Sequence, residues 1–124
     1  MFKLFLVMFG GCIGAACRYG TNLLAANLWG SRFPWGTLVV NLVGCLLIGL
    51  AFGLAERVAW VTPPVRLFFV TGFLGALTTF SSFAIETVNS ATGGAGHLAV
   101  MNFVANNVGG LALVLGGMWL AKAI

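Results

Sequence analysis

The chain has 124 residues, 60% of them hydrophobic, and only six basic and two acidic side chains. A soluble domain has about a quarter of its residues charged, so this composition excludes an ordinary soluble fold and predicts an all-α membrane protein. The net charge of +4 comes from single residues at Lys3, Arg18, Arg32, Arg57, Arg66 and Lys122, a scatter that forms no nucleic-acid-binding patch.

A spanning helix needs roughly 20 apolar residues. Four stretches qualify, Leu4–Ala26, Gly36–Ala55, Val65–Ala91 and His97–Ala121, and they predict one four-helix transmembrane domain over residues 1–124. In the first span, Gly14-Ala-Ala-Cys17 imitates a signal-peptide cleavage box. Leu42-Val-Gly-Cys45 repeats that box too deep in the chain to be one, so the first span is read as a retained helix. Gly10, Gly14 and Arg18 follow at intervals of four. The arginine either snorkels to the interface or lines a wet vestibule.

The first connection, Trp29-Gly-Ser-Arg32-Phe-Pro34-Trp35, leads into a second span with Thr37, Asn41, Cys45, Gly49 and Gly53 on one stripe. Such small-residue stripes mark close helix approaches, so polar groups on them point into protein. The second connection carries Glu56, Arg57, Trp60, Pro63, Pro64 and Arg66. The tryptophans at 29, 35, 60 and 119 fall near predicted helix ends, as interfacial aromatics do. With the N-terminus inside, Lys3, Arg57, Arg66 and Lys122 lie on the cytoplasmic side and Arg32 outside. That lean is small, and insertion in both orientations stays open.

The third span holds the run Gly75-Ala-Leu-Thr78-Thr79-Phe80-Ser81-Ser82-Phe83. Hydrocarbon cannot hydrogen-bond a bare backbone, so a Gly- and Thr-rich break near 75–79 must face protein or a polar cavity. Phe80 and Phe83, three apart, then fall on one face of the resumed helix. The element suits ion handling; a kink filled by packing residues is the plainer alternative. Glu86, the one acid within a span, is a functional candidate or a solvated edge. Ser81 and Ser82 are pathway donors or bond back to their own backbone. In the fourth span Asn102, Asn106 and Gly110 repeat the spacing of four, and the asparagines either face an ion or tie helices together. Cys12, Cys17 and Cys45 show no metal spacing and are read as packing thiols.

No enzyme emerges. Glu86 has no second carboxylate, His97 has no partner nearby in sequence, and the serines have no base. The inventory favours an anion instead. Amides, hydroxyls, one arginine and the positive edges of phenylalanine rings can all receive one. Carbonyls freed at the break suit a hard cation.

These residues closely resemble the Fluc (CrcB-like) fluoride channel family. The resemblance runs from Gly10, Gly14, Ala15, Arg18 and Tyr19 through Gly36, Thr37, Asn41, Gly44 and Gly49. It continues over Thr71 to Phe83 and Glu86, then Asn102, Asn106 and Gly109. It implies an antiparallel, dual-topology homodimer in the bacterial inner membrane that exports fluoride passively through two pores. It also implies a central structural Na+ on the backbone carbonyls of Gly75 and Thr78. The implied fluoride pathway comprises Asn41, Phe80, Phe83, Ser81, Ser82, Thr79 and Asn106, with Arg18 toward a vestibule. Thr37, Glu86 and Asn102 are further candidates. The chain departs from the usual pattern at Ala76, Ser82, Ala84 and Gly110, and two of these, Ala84 and Gly110, remove hydroxyl donors. Two other readings remain: a small four-helix multidrug/proton antiporter, and a non-transporting accessory or holin-like protein. The first needs a carboxylate in the first span, where this chain has Arg18.

Overall fold

The computed structural model describes residues 1–55 and 57–124; Glu56, placed by the sequence in the second connection, lies outside the described residues. Five helices, α1 (Phe2–Trp29), α2 (Trp35–Ala55), α3 (63–77), α4 (Phe80–Thr92) and α5 (Gly96–Ala123), form four spans, because α3 and α4 together make one crossing. All four spans are long and apolar enough to cross a bilayer.

Local chemistry sets most of the ends. Gly30, with φ of 78°, closes α1 in a conformation that a side chain would resist, and its N–H reaches the Ala26 carbonyl. Trp35 opens α2 and stacks edge-on against the buried Phe33 ring at 4.7 Å. Pro63 and Pro64 occupy the first turn of α3, where a missing N–H loses nothing. At the far end Arg57 donates to the carbonyls of Ala121 and Lys122, covering the open end of α5.

Two segments depart from α geometry without proline. Over Leu67–Leu74 and again over Ala105–Gly109, hydrogen bonding widens to the π pattern. Between Leu77 and Phe80 the third span opens altogether: Thr78 and Thr79 are both extended, with ψ of 155° and 116°.

The helices pack as α1 on α3, α2 on α5, α4 on the first half of α5, and α1 on α2. The glycine stripes serve these contacts. A Cβ at Gly14 would strike the Phe73 carbonyl of α3, and one at Gly49 the Val114 carbonyl of α5. Val40, Leu74 and Leu77 form the buried centre, flanked by Leu47, Ile48, Phe69 and Phe73. The outer faces carry exposed Phe5, Leu24, Leu111 and Leu115, which lipid or a second copy must cover. All four tryptophans are exposed near span ends, where an amphipathic ring is at home.

Candidate functional site

The break is held open by a side chain from another span. In an unbroken helix the Thr79 N–H would donate to the Gly75 carbonyl. Here it donates to Asn41 Oδ1 at 2.8 Å, and Asn41 Nδ2 donates back to the Thr79 carbonyl at 3.2 Å. One asparagine therefore satisfies both backbone groups of an extended residue. Gly44 allows the approach, because a Cβ there would collide with the Thr78 methyl.

The helix then restarts by N-capping. Thr79 Oγ1 accepts from the Ser82 N–H at 3.2 Å, which in a continuous helix would go to the Thr78 carbonyl. The diverted amides thus leave the carbonyls of Gly75 and Thr78 without their helical donors. Gly75 itself remains helical, so the opening lies at Thr78–Thr79, toward the late end of the 75–79 window. The hydroxyls of Ser81 and Ser82 gather on Thr79 Oγ1 at 3.3 and 3.1 Å.

A groove of about 330 Å³ opens at this point, lined by Asn41, Thr79, Phe80, Phe83 and Asn106 together with Gly75 and Thr78. The two rings touch, with centroids 5.5 Å apart and planes inclined at 57°. Their surroundings differ: Phe83 is 5% exposed, whereas Phe80 is 76% exposed and projects from the surface of the chain. Phe83 also meets Phe103 of α5.

Behind the groove the polar residues of α2, α4 and α5 form one chain. Asn41 Nδ2 donates to Asn106 Oδ1 at 2.9 Å, and Asn106 Nδ2 to Asn102 Oδ1 at 2.9 Å. Asn102, fully buried, donates to Thr87 Oγ1 at 2.8 Å, and Thr87 donates to the Phe83 carbonyl at 2.7 Å.

Thr37 and Glu86 belong to a second cavity of about 400 Å³, beneath the α1–α2 connection with Asn22 and Arg32. Thr37 Oγ1 donates to Glu86 Oε1 at 2.8 Å, while Oε2 is buried without a hydrogen-bond partner among the described residues. Arg18 is half-buried on α1 and lines neither cavity. Sequence reasoning missed Thr87 as a member of the polar chain. Its only signal was the spacing of four from Phe83, common to any helical threonine.

Among the described residues no three His, Cys, Asp or Glu side chains cluster to hold a metal.

Residues 5–118 match the family described as "CrcB-like protein, Camphor Resistance (CrcB)". The chain belongs to this family. It is 49% identical over 114 residues to the "Fluoride-specific ion channel FluC" of Aeromonas salmonicida, covering 92% of this chain and 91% of that one. To the protein of that name from Azobacteroides pseudotrichonymphae it is 41% identical, covering 97% and 96%. The protein of that name from Legionella pneumophila strain Lens is 42% identical, with 95% and 88% covered. The match thus runs over nearly all of the chain, so the break and most of each span lie within the shared region.

Proposed function

We propose that this multi-pass protein of the bacterial inner membrane is a passive fluoride-selective channel, working as an antiparallel homodimer with two pathways. The observation that carries the reading is the break: an aromatic pair and a cluster of hydroxyls sit beside carbonyls whose helical donors are diverted. It is supported by the fluoride-specific channels that the chain is similar to over nine-tenths of its length.

One protomer leaves the groove open and Phe80 largely exposed. Acyl chains cannot satisfy carbonyls at that depth, so a second copy is the suitable wall. With two opposed copies, the pathway would run past the ring edges of Phe80 and Phe83 and the hydroxyl of Thr79 in the groove, then past Ser81 and Ser82, which lie outside the groove lining of one copy but remain accessible on α4. Both N–H groups of Asn41 are already committed, so Asn41 and Asn106 form its floor; Thr79 donates to Ser82 and Ser81 to Thr79, which leaves the Ser82 hydroxyl and the ring edges to supply the donors. These are weak donors, which suits conduction, since an ion must leave as readily as it enters. Thr37, Glu86 and Arg18 lie away from this groove, where they would serve the ends of the route.

The carbonyls of Gly75 and Thr78, both left without their helical donors, would hold a structural sodium ion. Such an ion would supply positive charge that offsets the field of the anions passing beside it. The antiporter alternative fails on position: the acid within the spans is Glu86 of α4, already bonded to Thr37.

Efflux from proteoliposomes tests the proposal. Purified protein should release fluoride and retain chloride, whereas equal leakage of both or no leakage at all contradicts it.

A further inference from the structure

The hydrogen-bond chain behind the groove has one permitted direction. A backbone N–H can only donate, so the atom of Asn41 facing the Thr79 N–H must be its oxygen. The Asn41 nitrogen then faces Asn106, which must present its oxygen, and its own nitrogen must face the Asn102 oxygen. Asn102 is left to donate to Thr87, whose proton goes to the Phe83 carbonyl. A flip of Asn41 or Asn106 would set donor against donor or oxygen against oxygen at both its ends; a flip of Asn102 would do so against Asn106 and would draw the Thr87 proton away from the Phe83 carbonyl. The chain begins at Thr79, the N-cap of α4, and ends at Thr87 within that helix, and the route between them crosses α2 and α5.

We infer that Thr87 and Asn102 are positioning residues for the conduction site: through Asn106 and Asn41 they fix the conformation of Thr79 and bracket the buried Phe83. The inference rests on the channel reading above and extends it to two residues outside the groove. Neither Thr87 nor Asn102 lines the groove, so neither meets the ion. Asn102 is 0% exposed, and a buried amide there persists only if its partners are in place. The arrangement is cooperative, since each amide polarises the next in a low-dielectric surrounding.

The test uses the full-length protein in lipid, with Thr87→Val, Thr87→Ser and, on the same helix, Thr92→Val, whose exposed hydroxyl bonds only its own turn. Fluoride efflux is measured beside the side-chain amide resonances of Asn41 in asparagine-labelled protein. Thr87→Val should lower flux about three- to tenfold, the factor by which one intramembrane hydrogen bond shifts an equilibrium. It should also move the Asn41 amide signals, two amides away. Thr87→Ser should restore both, and Thr92→Val should change neither. Thr87→Ala, which needs no extra room, carries the same expectation if the valine variant does not assemble. Unchanged flux, a serine variant as impaired as valine, or an Asn41 signal that stays put overturns the inference. Absence of flux in the unmodified protein defeats the channel reading instead, while the amide signals still report on the chain.

Discussion

The third and fourth spans both abandon α geometry near Asn41, yet they do so in opposite ways. In the third, two extended residues part the helix, and a side chain takes over the hydrogen bonds of Thr79. In the fourth, the Ala105–Gly109 segment only widens and keeps its backbone paired. The contrast separates two uses of an irregular helix in a membrane. A parted helix presents carbonyls, at the expense of a dedicated clamp. A widened one re-aims a side chain, here Asn106 onto Asn41, and exposes no backbone.

The largest effect should follow from removing the rings that the parted helix presents. Phe80→Ile with Phe83→Ile should reduce fluoride flux below detection while the elution volume on gel filtration stays that of the unmodified protein. Unchanged flux would take those rings out of the pathway.

Next comes the clamp. Asn41→Leu strands the N–H and C=O of Thr79, at about 1–3 kcal/mol for each buried unpaired group. Flux should fall at least about thirtyfold and thermal stability in detergent should drop with it. A variant with wild-type melting and flux would mean that the break does not need Asn41. Gly44→Ala sharpens the same point sterically: its new methyl meets Thr78, and flux should fall about tenfold with smaller loss of stability. The widened segment should be more forgiving. Val108 of that segment is exposed and lines neither cavity, so Val108→Ala should leave efflux within about threefold of wild type. Collapse of a proton gradient should have no effect on the rate, and any dependence on that gradient would favour coupled transport.

Much of this plan is visible in the residues themselves. Thr37, Asn41, Asn102 and Asn106 recur at helical spacing beside glycines, and all four turn inward because the same stripe brings helices together. The break was harder to locate. Gly75 invited it by composition, but the opening lies at Thr78–Thr79 because Asn41, 38 residues earlier, captures the Thr79 amide. No local rule contains that contact. The π-widened turns are equally hidden, since they answer to neighbouring helices rather than to propensity. Thr87 was invisible for the same reason: its partner Asn102 comes from the next helix. The aromatic pair was legible as a contact, but not the burial of Phe83 against Phe103 that leaves Phe80 to face outward.

The central claim is that the site at the break discriminates a small halide from a larger one. The bi-ionic reversal potential in a planar bilayer, fluoride on one side and chloride on the other, addresses it most directly. The account predicts a reversal potential set by fluoride alone. A reversal at zero, or no current in either direction, would contradict it.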